Sequence, residues 1–175
     1  PYPWKNWSGN QSCYPNKKYA PSSVEALKEV IHRSDGHIRM VGSGHSFSEL
    51  VPTDQTLVSI RRLNGLLEVD PIKKTASFYG GTTLGETGPV LADHGQGLFN
   101  MPDVDHQTLA GAISTATHGT GRNLGSLSSY VESLMLITAA GEELRCSANE
   151  NADLFSAAQV GLGAMGVISG ITLKS

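Results

Sequence analysis

In the stretch "RMVGSGHSFSEL", residues 39–50, His45 stands directly after the turn Gly42-Ser43-Gly44 and ahead of Ser46 and Phe47. Successive main-chain N–H groups in a glycine turn after a strand form a concavity that binds anions. An imidazole at its tip adds a nucleophile that is neutral near physiological pH. The turn supplies the first two glycines of the dinucleotide fingerprint GxGxxG, but Phe47 occupies the third glycine position. No acidic residue closes the next strand either, since "TLVSI" runs into Arg61-Arg62. A nicotinamide site of the Rossmann type is therefore disfavoured. A plain strand-to-helix turn with a solvated histidine is the ordinary alternative.

Two more segments are built from small residues. Thr108 to Gly121 combines Ala110, Gly111, Ala112 and Ala116 with the hydroxyls of Ser114, Thr115, Thr117 and Thr120. Tight helix packing explains small side chains. So many hydroxyls in a half-buried stretch need partners, which a flat polar cofactor would supply. In "VGLGAMGVISG", Gly161, Gly163, Gly166 and Gly170 would let the backbone approach a ligand ring; a glycine-rich turn into an edge strand is the plain reading. No acid–base or metal constellation is of comparable strength, and His32, His37, His94 and His106 show no zinc-ligand spacing. A metal-dependent hydrolase using His94, His106 and His118 would demand bound zinc. Three separate small-residue segments suit a large, elongated cofactor gripped mainly by main chain.

Strands and helices must hold these segments. "APSSVEALKEVIHRSDG" is a helix, with Ser22 as cap, Glu25 reaching back, and an apolar face of Val24, Leu27, Val30 and Ile31. "HIRMV" is a buried strand leading into the turn. "QTLVSI", "LLEVD" and "TASFYG" are short strands of a partly antiparallel sheet. "TTLGETGPVLADHG" is a helix that starts or kinks at Gly88-Pro89, and "LAGAISTATHGTG" has helical character. A strand–turn–strand over 130–147, a helix at "ADLFSAAQVG" and a final strand complete the chain. The opening "PYPWKNWSGNQSCYP" reads as an extended arm. The mixture is α+β, without the regular alternation of a βαβ array.

At 175 residues the chain fits one domain or two small lobes sharing a core. It is 39% hydrophobic and 17% charged, with a net charge of −3, which argues against a nucleic-acid or anionic-membrane partner. Its 20 glycines, about 11%, exceed the usual ~7%. With no apolar run of transmembrane length and no secretory start, a cytoplasmic or membrane-peripheral location is expected. Cys13 and Cys146 lie far apart; free thiols are the first expectation, and a disulfide between them stays open. The chain begins at Pro1 and stops at Ser175, just after a strand-like segment, so it is expected to be a piece of something longer.

"WKNWSGNQ", "PSSVEALKEVI", "RMVGSGHSFSEL", "LAGAISTATHGTG" and "NADLFSAAQVGLGAMGVISGITL" occur in that order. In this the chain resembles the FAD-binding half of the sugar-lactone and alditol oxidases, flavoproteins with the vanillyl-alcohol-oxidase type of FAD-binding fold. The resemblance implies two α/β lobes of mixed parallel and antiparallel strands with flanking helices, lobe one about 17–70 and lobe two about 71–175. It implies FAD joined covalently to His45 through the flavin 8α-methyl, whose acidity makes an electrophile that a neutral imidazole nitrogen can attack. It also implies that Val41 and the N–H groups of Gly42, Ser43, Gly44, Ser46 and Phe47 hold the pyrophosphate. Thr108, Gly111, Thr115, Ala116, Thr117 and His118 would touch the isoalloxazine and phosphates, and Ile168 the adenine through its backbone.

The activity so implied is oxidation of a CH–OH group of a sugar lactone or alditol by hydride transfer to flavin N5, with oxygen or another acceptor reoxidising the flavin. The substrate pocket would lie in a C-terminal cap domain that no segment here resembles. Two rivals are a non-catalytic flavin-binding module and another flavoenzyme on the same fold, such as UDP-N-acetylenolpyruvoylglucosamine reductase. His45 argues against the latter.

Overall fold

In the computed structural model, which describes residues 3–175, two sheets share one core. The first is parallel and three-stranded. It comprises β3 (Lys17–Tyr19), β4 (Ile38–Val41) and β5 (Thr56–Ser59), in the order β3-β5-β4. Central β5 buries Thr56, Leu57 and Val58 in succession, as a strand covered on both faces must. The helix α1 (Val24–Arg33) crosses between β3 and β4 and buries Leu27 and Ile31, four residues apart on one face. Its cap is Ser23, not Ser22: the Ser23 hydroxyl accepts from Ala26 N–H at 3.1 Å. "HIRMV" is also not a buried strand. β4 is the sheet edge, where only Val41 is buried and Arg39 is exposed.

The second sheet is antiparallel throughout, in the order β6-β7-β10-β8-β9. Its strands are β6 (Leu66–Asp70), β7 (Thr75–Tyr79), β8 (Val131–Ile137), β9 (Glu143–Ser147) and β10 (Val167–Lys174). The last strand in sequence lies in the middle, paired with β7 and β8, so the glycine-rich turn at 161–166 leads into a central strand and not an edge. The strand 66–70, assigned from sequence to the first lobe, pairs in this second sheet. The sheets therefore part between residues 60 and 66.

Three more helices follow, α2 (Leu84–Asp93), α3 (Leu109–Ser114) and α4 (Ala152–Ala158), of which α3 packs on β10 and α4 on β9. Pro89 lies inside α2, and Gly88 does not start it. The start is set at Thr83, where a reciprocal capping box with Glu86 satisfies two of the free N–H groups. α3 is shorter than its small-residue sequence suggests, because Ala116 adopts a left-handed φ of 54° just beyond it. The helix then gives way to loop, with Leu127–Tyr130 forming a single 3-10 turn.

The N-terminal arm is not merely extended. β1 (Trp4–Lys5) and β2 (Ser12–Cys13) pair as a hairpin, Trp4 opposite Cys13. Cys13 and Cys146 are both free thiols. Among the described residues no helix is long and apolar enough to cross a membrane.

Candidate cofactor site

A cleft opens where three elements end or begin: the C-terminal end of β4 with its glycine turn, α3, and the start of β10. It encloses about 990 Å³ counted out to its mouth. Its apolar lining includes Met40, Leu50, Val51, Ile60 and Val167. The three small-residue segments, separated by roughly forty residues or more at each step, thus meet at one place.

The turn approaches α3 as closely as chemistry allows. A methyl group at Gly42 would collide with the Thr108 hydroxyl and stand 3.1 Å from both Thr108 Cβ and Cγ2. Gly44 has a φ of +70°, which glycine adopts without strain. Among the described residues none of the N–H groups from Ser43 to Phe47 finds an acceptor in the chain. Those donors are left for something outside it. A second orphan lines the same cleft: Gln107 Oε1 is buried without a hydrogen-bond partner. Buried polar atoms without partners are rare, and one in a cleft is free to accept from a donor outside the chain. These two observations fit a polar, anionic cofactor.

His45 lines the cleft half-buried. Its ring stacks on Trp7, with centroids 5.2 Å apart at 25°, and lies 6.5 Å from the His106 ring at 21°. Burial, and secondly the charge of His106, hold the His45 pKa below the ordinary imidazole value. The ring is therefore neutral at physiological pH, the state in which a nitrogen is nucleophilic. His106 in turn lies 3.5 Å from the Asp105 carboxylate. In His106→Ala the His45 pKa should rise part of the way back, because burial remains when the neighbouring charge has gone. An NMR titration of the His45 ring protons checks this. An unmoved midpoint would show that His106 exerts no field there.

Of the residues singled out from sequence, Val41, Gly42, Ser43, Gly44, His45, Ser46, Thr108, Gly111, Thr115 and Ile168 line the cleft. Phe47, Ala116, Thr117 and His118 do not. The Phe47 side chain is largely exposed. Thr117 instead binds the loop together, its N–H donating to Ala112 O and its own carbonyl accepting from Leu127 N–H. The His118 ring turns to the Gly119 carbonyl and is exposed.

Two of the hydroxyls of this segment find partners within the chain. Thr108 Oγ1 caps α3 by accepting from Gly111 N–H, and Thr115 Oγ1 donates to Gly111 O. Ser114, one of the hydroxyls singled out in that segment, also lines the cleft, and Gln107, Leu50 and Val51 line it without having been anticipated. The only signal for Leu50 and Val51 was an apolar pair set in a polar loop. His94, His106 and His118 do not converge: His94 bonds Val90 O, His118 bonds Gly119 O, and His106 lies beside Asp105.

A glycine turn of unpartnered N–H groups, a neutral imidazole at its tip and an orphaned acceptor in one cleft, on a mixed parallel and antiparallel framework, fit a nucleotide-cofactor-binding domain. Residues 15–147 match the FAD binding domain family, and the chain belongs to it. The chain is 41% identical over 175 residues to an L-gulono-1,4-lactone dehydrogenase of Mycobacterium tuberculosis, covering 98% of this chain and 40% of that protein. It is 37% identical over 174 residues to the L-gulonolactone oxidase of Bos taurus, with the same two shares of 98% and 40%. Its identity to a D-arabinono-1,4-lactone oxidase of Yarrowia lipolytica is 34% over 180 residues, 98% of this chain and 34% of that one. The chain thus spans about two-fifths or less of the length of these relatives.

Proposed function

We propose that this chain is the FAD-binding part of an oxidoreductase that oxidises the CH–OH group of a sugar lactone. The observation that carries the reading is the cleft itself. N–H donors without acceptors line one wall, and the orphaned Gln107 Oε1 lies in another, within a chain of the FAD binding domain family. The relatives' names supply the substrate class. The two-sheet arrangement is consistent with the vanillyl-alcohol-oxidase type of fold, which we include in the proposal.

In this reading the turn from Gly42 to Phe47 holds the pyrophosphate by its main-chain N–H groups, as an anion nest does. Thr108, Gly111, Thr115 and Ile168, with Gln107, contact the rest of the cofactor, and the apolar wall of Met40, Leu50, Val51 and Ile60 excludes water from it. FAD, when bound, supplies the two-electron acceptor for the lactone hydride, and oxygen or another acceptor takes those electrons onward. His45 is the covalent attachment point. Attachment would replace its N–H bond and one 8α C–H bond with an N–C bond, and the two protons and two electrons released would leave through the same acceptor. The substrate pocket belongs to a further C-terminal domain of the whole protein.

Anaerobic mixing of the yellow full-length protein with gulono-, galactono- and arabinono-lactones tests the activity. At least one lactone should bleach the flavin colour within the time of a turnover. Bleaching by open-chain polyols alone would move the assignment to alditols. No bleaching by either class would leave a flavin-binding module without this catalysis.

A further inference from the structure

The β1–β2 hairpin precedes the stretch matched by the FAD binding domain family, which begins at residue 15, yet it holds that family's glycine turn. Trp7 N–H donates to Gly44 O at 2.8 Å. Asn6 Nδ2 donates to Ser46 O at 3.0 Å. The Phe47 carbonyl accepts from both Asn10 Nδ2 at 3.1 Å and Gln11 Nε2 at 3.2 Å.

These donors are themselves fixed. Buried Asn6 also donates to Asn10 Oδ1 at 2.7 Å, while its own Oδ1 accepts from Gln11 N–H at 3.0 Å. The last contact is the stack of the Trp7 indole on His45.

A trans peptide points its C=O and the next residue's N–H to opposite sides, and among the described residues there are no cis bonds. Drawing the carbonyls of Gly44, Ser46 and Phe47 toward the hairpin therefore turns the N–H groups of His45, Phe47 and Ser48 away from it. Among the described residues those three N–H groups have no acceptor in the chain. Of these three residues His45 lines the cleft, and Phe47 and Ser48 continue the turn just past its edge, so the hairpin holds the turn on the side away from the cleft.

We propose that the hairpin is a positioning clamp: its amides aim the N–H groups of the turn at the pyrophosphate of a dinucleotide, and Trp7 fixes the His45 imidazole for attachment. The proposal rests on the FAD reading given above. Asn6, Trp7, Asn10 and Gln11 are positioning residues, since each acts through the turn.

The test uses full-length protein produced free of flavin and then supplied with FAD. Two quantities are read: the Kd for FAD in a His45→Ala background, where the flavin stays exchangeable, and the rate at which flavin becomes acid-stable when His45 is present. Asn10 and Gln11 lie toward the surface, so Asn10→Ala/Gln11→Ala should retain the fold, which a thermal melt of the flavin-free protein verifies. That pair should raise the Kd about tenfold, because an anion nest loses affinity when its N–H groups are no longer held in place. Trp7→Ala should keep the Kd within about threefold yet slow acid-stable incorporation about tenfold or more, with Trp7→Phe restoring most of the rate. A fold-disrupting substitution would change Kd and melting together and would not be rescued by phenylalanine.

An unchanged Kd in the double variant, or an unchanged incorporation rate in Trp7→Ala, overturns the clamp. A parent protein that binds FAD but never retains it in acid removes the attachment role of His45 and of Trp7 with it. The amide half then stands or falls on the Kd of the double variant. A parent that binds no FAD ends the cofactor reading and the clamp together.

Discussion

Full-length protein carrying His45→Ala is expected to take up FAD and then release all of it on acid precipitation, whereas the parent keeps the yellow colour in the pellet. His45 is the one strong nucleophile of the turn; the neighbouring hydroxyls of Ser43 and Ser46 are far weaker near neutral pH. Its ring makes two stacking contacts and, among the described residues, no hydrogen bond. Truncation therefore orphans no buried partner, and the stability change should stay within about 1 kcal/mol. The main-chain donors around it remain, so uptake survives. Because burial keeps the imidazole neutral, incorporation in the parent should proceed at pH 7 and fail only as pH falls below the lowered pKa of His45, where protonation removes the nucleophile. Colour that stays with the His45→Ala pellet would place the attachment elsewhere. Colour lost from the parent pellet would mean that there is no covalent bond.

The second large effect belongs to Gly42. Gly42→Ala should raise the Kd for FAD about a hundredfold or more and cost about 1–3 kcal/mol of stability, the range for overpacking a closed site. The new methyl meets Thr108, which is buried, β-branched and already committed to capping α3. A stiff χ1 cannot swing the side chain aside, and breaking the cap costs about 1 kcal/mol. The turn must therefore lift off α3, and the cleft loses the registry between its first two walls.

The double variant Gly42→Ala/Thr108→Ala identifies the cause, since it removes the colliding Oγ1 and Cγ2 together. It should recover most of the FAD affinity, while Thr108→Ala alone shows only the modest loss of the cap. Titration by flavin fluorescence in the His45→Ala background measures all three. Should Gly42→Ala bind FAD within about threefold of its parent, close contact between turn and helix is not what shapes this cleft.

The local elements were largely legible because their determinants are local. The periodic apolar face of Leu27 and Ile31 marks α1, and alternating or apolar runs mark the strands 56–59, 66–70 and 131–137. Even the capping box of α2 is written in four adjacent residues, Thr83 to Glu86. Where the sequence misled, two nearly equivalent signals competed. Ser22 and Ser23 are both good caps, and only the backbone turn selects the second. Gly88-Pro89 resembles a helix start, yet Thr83 and Glu86 begin the helix a turn and a half earlier.

Function was legible at the level of chemistry. Gly42-Ser43-Gly44-His45 are the residue types that an anion-binding turn tipped by an imidazole would need, because φ freedom and nucleophilicity are properties of those residues themselves. Only the tertiary structure decided which segments face one another. It set β10 in the middle of its sheet, moved β6 to the second sheet, turned Phe47, Thr117 and His118 out of the cleft, and brought Gln107 into it. It also laid the hairpin of Trp4–Lys5 and Ser12–Cys13 against a turn some forty residues away. Strand order and side-chain partners depend on contacts between distant residues, and no pattern within a short window carries them.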